Sequence, residues 1–300
     1  MDSTEIRLLS APIILGIHLN WGLEGILLVQ TYIYNARYTS DPLQFKVLVY
    51  GVFVYETVQA CLLVADIFHY WVYNYGDPDV LVMLSNMWFS IFVMGGIMAA
   101  VVQSFYAWRI WKIEQHLLMT VPIVIISFAQ LALAITSGVK MKLLQSVVLE
   151  HRIAAFIEAW LACALLANFI VSITMTVHLL KSGRTTGSTP ISRALAFLVE
   201  SGALLAIFTL AELVLYIVEL ETNMHLLFAL VSSKIYANSL LMSFNNRALP
   251  GMNAKGFFSP FHTSNTRLGT ASTGTQMIFA EAQGTAALGI RSMSVKETFD

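Results

Sequence analysis

Seven stretches of this chain run for about twenty residues or more with hardly a charge among them. They lie at about 11–34, 46–70, 82–111, 119–138, 154–180, 194–218 and 224–244. A helix that crosses the hydrocarbon core of a bilayer needs about 20 mainly apolar residues, at a rise of about 1.5 Å each. The composition points the same way. Only 12% of the 300 residues are charged and 57% are hydrophobic, whereas soluble domains carry about 25% charged residues. The expected fold class is therefore all-α, a bundle of seven transmembrane helices. Pro12, Pro42, Pro78, Pro122, Pro190, Pro250 and Pro260 all fall at or beyond the ends of these stretches, as expected if helix interiors exclude proline.

The first stretch is too long for a cleaved signal peptide, and Asp2, Glu5 and Arg7 precede it instead of a basic cluster; it reads as a retained span. Lysine and arginine set the direction. One set of loops and ends holds Arg37, Lys46, Arg109, Lys112, Lys181, Arg184, Arg193, Arg247 and Lys255, and the other holds only Arg7, Lys140, Lys142 and Arg152. That asymmetry predicts an extracellular N-terminus at 1–10, a membrane domain at 11–248 and a cytoplasmic tail at 249–300. The tail should be disordered, because residues 250–300 hold twelve Ser/Thr and six Gly with no sustained apolar period.

Against this background Lys234, in "LLFALVSSKIYANSLL", is the most unusual residue. It lies about ten residues into the seventh stretch, so ~15 Å deep. An ammonium there costs at least ~2.5–3.5 kcal/mol unless it faces the bundle interior and a partner. Glu56 in the second span is expected at nearly the same depth, Glu24 in the first slightly nearer the cytoplasm, and Glu212 in the sixth within reach of a lysine stem. Asn238 and Asn245 share a helix face with Lys234, and Asn20, Glu24 and Thr31 repeat the same spacing in the first span. Two helices thus present polar stripes, predicted to line a common interior. If the seven helices close into a ring, spans one, two and seven adjoin. Lys234 then reads either as a structural ion pair or as part of a ligand or ion path. A retinal Schiff base is disfavoured, since the third span has no acid before its end and Leu230 stands where a preceding acid would be needed.

Other features carry weaker signals. His18, His69, His151 and His225, with Asp66, Glu150 and Glu158, lie toward the outer side, but their spacing matches no metal motif; no metal, cofactor or catalytic set is expected. Cys61 and Cys163 sit in apolar stretches and read as small buried packing residues. In "AWRIWK" the rings of Trp108 and Trp111 and the cations of Arg109 and Lys112 suit a cytoplasmic interface, with Arg247 beyond the last span. Trp21, Trp71, Trp88 and Trp160 read as an outer aromatic belt. Gly95, Gly96, Ala99 and Ala100 predict close packing of the third span.

Several stretches, "LVQTYIYNARYTSD" (28–41), Lys46, "VYNYGDP" (72–78), "VQSFYAWRIW" (102–111) and above all "SKIYANSLLMSFNNR" (233–247), resemble a large group of uncharacterised multi-pass proteins of mushroom-forming fungi, known by a domain of unknown function. The resemblance covers about residues 11–248 and implies the seven-helix fold without implying an activity. It departs from the group at Asn168, where an acid is frequent, and at Glu200-Ser201-Gly202, where an uncharged polar residue and Thr-Gly are frequent.

The functional expectation is a multi-pass membrane protein, receptor-like or sensory, with a polar site around Lys234. A proton-coupled or small-molecule transporter is the main alternative, and a membrane-embedded metal hydrolase the third. Expected partners are the lipid bilayer, a small-molecule ligand of unknown kind and a cytoplasmic signalling protein. The formal net charge of -1 offers no footprint for nucleic acid.

Overall fold

The structure is a computed structural model and describes residues 3–77, 85–114, 117–144, 152–182, 198, 202–218 and 224–246. The tail at 249–300, Arg247, Glu200, Glu150, His151 and four of the prolines lie outside the described residues.

Backbone N–H and C=O groups find no partner in hydrocarbon, so a segment that is apolar throughout satisfies them internally as helix. The described residues form seven α-helices and no strand. These are α1 (Ser3–Arg37), α2 (Leu43–Phe68), α3 (Gly95–Glu114), α4 (Leu117–Leu144), α5 (Ala154–Ser182), α6 (Ala203–Val218) and α7 (Met224–Asn245). A π-helical turn, His69–Tyr73, extends α2, and another, Trp88–Met94, leads into α3. All but α6 are long and apolar enough to cross a membrane, so the chain is a multi-pass membrane protein. The described part of α6 has 16 residues.

Two helices begin earlier than the apolar stretches suggested, and this changes the position of two prolines. Pro12 and Pro122 lie inside α1 and α4 rather than at their ends. Pro12 is the tenth residue of α1 and Pro122 the sixth of α4, so each leaves one helical carbonyl without its N–H partner, at about 3 kcal/mol for a helix interior. Helix α4 also runs on to Leu144, so Lys140 and Lys142 are helical. Their ammonium groups lie over the Phe156 and Trp88 rings, 3.5 and 4.5 Å from the centroids.

The contacts define the helix directions. Between α3 and α4, Gln103 meets Ser127, Gly96 meets Ala134 and Trp88 meets Lys142, an antiparallel register. Helices α1 and α2 are antiparallel through Glu24–Thr57 and Asn35–Tyr50. Helices α6 and α7 are antiparallel through Tyr216–His225 and Glu212–Ser232. In contrast, α1 and α7 run side by side in the same direction, Asn20 against Leu230 and Gln30 against Asn245. Helix α3 is parallel to α7 as well, through Tyr106–Ser239 and Arg109–Ser243.

Helix α7 does not take a place in a simple ring. It packs against α1, α2, α3 and α6 together, and Val231 and every residue from Ser233 to Asn245 is buried. A helix enclosed on all faces must satisfy its polar side chains inside the protein, and this requirement shapes the site below. Small residues permit the close approach: a Cβ on Gly16 would stand 2.8 Å from Leu230 Cδ1, and one on Gly96 2.7 Å from Ala134 Cβ. The expected close packing of α3 is seen at Gly96.

Candidate functional site

Three consecutive residues of α7 hold three acids from three different helices. Ser232 Oγ donates to Glu212 Oε2 of α6 at 2.8 Å. Ser233 Oγ donates to Glu56 Oε1 of α2 at 2.6 Å. Lys234 Nζ donates to Glu24 Oε2 of α1 at 2.6 Å and stands 3.0 Å from Glu56 Oε2. Successive helix residues point about 100° apart, since a turn takes 3.6 residues. A central helix can therefore address three neighbours from one layer. Lys234 and Glu56 are wholly buried. The ammonium donates a second hydrogen bond to the Glu56 backbone carbonyl, and Thr57 Oγ1 donates to Glu24 Oε1 at 2.8 Å. Two carboxylates thus share one ammonium in an environment that screens charge poorly, and each also accepts from a hydroxyl.

Side-chain amides continue the site along the α1–α7 seam. Asn20 Nδ2 donates to Leu230 O at 2.7 Å, Asn238 Nδ2 to Leu23 O at 3.1 Å and Lys234 O at 2.8 Å, and Asn245 Nδ2 to Gln30 O at 2.9 Å. Tyr38 OH donates back to Asn245 O at 3.0 Å. These bonds reach main-chain carbonyls, so they set the register of the two helices.

A second buried network joins α3, α4, α5, α6 and α7. Ser127 Oγ donates to Gln103 Oε1 at 2.8 Å, and Gln103 Nε2 donates to Asn168 Oδ1 at 3.0 Å. Asn168 Nδ2 donates to Thr209 Oγ1 at 2.9 Å and to Tyr236 OH at 2.6 Å. Both donors and the acceptor of the Asn168 amide are satisfied, which a carboxylate at this position would achieve only with the hydroxyl protons reversed.

The structure thus brings Lys234, Glu24 and Glu56 into one cluster, with Asn20 and Asn238 beside it. Glu212 belongs to the same layer but does not reach Lys234; it binds Ser232. All three acids meet the same turn of α7, at residues 232–234, but only two lie on the side that Lys234 faces. The cytoplasmic-interface set divides. Trp108 and Trp111 are exposed on the bundle surface. Arg109 instead reaches inward, Nη1 donating to Ser243 Oγ of α7.

Two other expectations need correction. Trp160 is not part of a surface belt: it is buried against Phe92, ring centroids 5.2 Å apart. Cys61 is exposed and Cys163 half-buried, so neither is a packing residue of the core. Among the described residues no three His, Cys, Asp or Glu side chains are placed to hold a metal ion. Thr57, Ser233, Gln103, Ser127, Asn168 and Thr209 were not singled out as site residues. Hydroxyls and amides are ordinary in membrane helices, and nothing in their spacing marks them as partners.

Three of the stretches behind the family resemblance meet in space. Stretch 28–41 supplies Gln30 and Tyr38 to Asn245, and stretch 102–111 supplies Tyr106 to Ser239 and Arg109 to Ser243. All four contacts fall on stretch 233–247. No curated protein and no solved structure matches the chain. The profile of a family of unknown function, DUF6534, matches residues 164–249, which takes in Asn168, Glu212, the central helix and Lys234.

Proposed function

We propose that this chain is a receptor-like or sensory membrane protein of seven spans, with α6 as the sixth, an outside N-terminus and a cytoplasmic tail. The helix directions support the seventh crossing. A bundle in which α6 failed to cross would set α7 against α1 head to tail, yet α7 runs alongside α1. The excess of lysine and arginine at the ends of α1, α3, α5 and α7 supports the orientation. Cysteines placed at Ser188 and Thr222 test both points: a membrane-impermeant thiol reagent should label the first from the cytoplasm and the second from outside. We extend the family reading from 164–249 to the whole of 11–248 and to the fungal group, because stretches 28–41 and 102–111 of the resemblance both contact stretch 233–247.

One observation carries the sensory reading: residues 232–234 of α7 hold acids from α6, α2 and α1. The central helix cannot turn or slide without remaking three buried polar contacts together. Packed interfaces of this kind switch between discrete arrangements rather than deforming gradually. Arg109 ties the cytoplasmic end of α3 to Ser243, so a shift of α7 reaches the face where a signalling partner would dock. The test is ligand identification. Protein purified gently from native membranes should carry a small molecule visible by native mass spectrometry, and Lys234→Ala should reduce its retention. Equal retention together with unchanged hydrogen exchange in α7 would exclude a switching role for Lys234.

A proton-coupled carrier is the second reading, favoured by three acids and one base in a single layer. Proteoliposomes containing a pH-sensitive dye test it. Acidification driven by a substrate gradient would support transport, and its absence across a broad substrate panel would leave the sensory reading.

A further inference from the structure

Glu212 is in an unusual position for a membrane carboxylate. It is 95% buried, its Oε2 accepts from Ser232, and among the described residues no cation pairs with it. An ionised carboxylate in such surroundings needs a compensating positive charge.

The structure provides room for one. A cavity of about 20 Å³ opens beside Glu212 and is bounded by Gln130 of α4, Trp160 of α5, Thr209 of α6, and Ser232, Ser233 and Tyr236 of α7. That volume is about what a single water or a bare monovalent ion occupies. Two cavity-lining side chains that are more than nine-tenths buried have polar atoms with no partner in the protein. One is the acceptor Gln130 Oε1 and the other is the donor Trp160 Nε1. Native interiors rarely leave such atoms unpaired without a bound species to meet them.

We propose that this cavity is a binding site for one small positive charge, either a proton carried on Glu212 or a sodium ion held between Glu212 and Gln130. Either would neutralise the carboxylate. The carbonyl oxygen of Gln130 would accept from the protonated carboxyl through a water, or coordinate the ion directly. In the proton form that water would also accept the Trp160 N–H. The cavity walls contributed by α3, α4 and α5 bear no titratable side chain, and α7 contributes the Tyr236 hydroxyl, already bonded to Asn168. The remaining charges of the layer, Lys234, Glu24 and Glu56, are engaged with one another. Charge on Glu212 therefore answers to this cavity. Occupancy is transmitted through Ser232 to Ser233 and Lys234, its neighbours in the chain, so the site would bias α7 whether the protein signals or transports.

The experiment measures thermal unfolding of the full chain in zwitterionic lipid nanodiscs. One series exchanges sodium for N-methylglucamine at constant ionic strength and pH; the other lowers pH without sodium. A saturating rise in melting temperature in the first series, absent in Glu212→Gln and weakened in Gln130→Leu, establishes the ion. A rise confined to the second series and absent in Glu212→Gln establishes the proton. Infrared spectra of the wild-type protein provide a readout that does not depend on the variants folding: the proton form shows a protonated-carboxyl stretch that sodium removes or pH titrates. Identical responses of wild type and Glu212→Gln in both series, with no such band, would overturn the site.

Discussion

Replacing Lys234 by methionine keeps the unbranched stem of the side chain, one atom shorter, and removes its charge. In the native protein Glu24 accepts from Lys234 at 2.6 Å and from Thr57 at 2.8 Å; Glu56 accepts from Ser233 at 2.6 Å and lies 3.0 Å from the ammonium. After the substitution each carboxylate retains one hydroxyl donor, and two like charges face each other in a buried site. Removing one member of a buried ion pair costs about 3–5 kcal/mol. Uptake of a proton by one carboxylate caps the loss, so the expected deficit near neutral pH is ~4 kcal/mol, a fall in melting temperature of roughly 8–16 °C for a domain of this size. The sign of the pH effect follows: acid protonates the stranded carboxylates, so the deficit shrinks as pH falls. Adding Glu24→Gln and Glu56→Gln to Lys234→Met removes all three charges and should recover most of the loss, to within about 1–2 kcal/mol of wild type. The assay is tryptophan fluorescence during heating in nanodiscs, with size-exclusion recovery as a check on folding. A Lys234→Met protein as stable as wild type would refute the reasoning. So would a triple variant less stable than the single one, since that would mean the acids gain nothing from the ammonium.

Two further substitutions test the packing and the uncharged network. Gly96→Val should destabilise by about 1–3 kcal/mol, since its first carbon would stand 2.7 Å from Ala134 Cβ and force α3 away from α4; unchanged melting would mean the helices separate freely there. Asn168→Leu leaves Gln103 Nε2 without its acceptor and should cost about 2–3 kcal/mol at any pH, whereas Asn168→Asp keeps that acceptor but buries a carboxylate among neutral partners, so its deficit should shrink as pH falls and the carboxyl takes up a proton; a pH-independent loss in the aspartate variant would contradict the network.

Much of the membrane architecture was readable because hydrocarbon is a demanding solvent. A twenty-residue apolar run has one conformation that satisfies its backbone, so helix existence follows from length and composition. Helix ends were less readable. The polar first turns of α1 and the lysine-bearing last turn of α4 look like loops in composition, yet the helical hydrogen bonding continues through them. The i, i+4, i+11 stripes on α1 and α7 identified the faces that meet, and Asn20, Glu24, Lys234, Asn238 and Asn245 all lie along that seam.

What the sequence determined by itself is that Lys234 turns inward toward carboxylates, because a charge facing lipid at that depth is too costly to persist. Which carboxylates receive it was decided only by tertiary structure. Helical rise places Glu24, Glu56 and Glu212 at similar depths, and depth says nothing about azimuth. Packing α7 at the centre of the bundle, rather than in a ring, puts Glu24 and Glu56 on the side of Lys234 and turns Glu212 toward Ser232 and its cavity. The same central position makes partners of Gln103, Ser127, Asn168, Thr209 and Tyr236, five uncharged residues on five helices whose meeting no periodicity within a single segment can reveal.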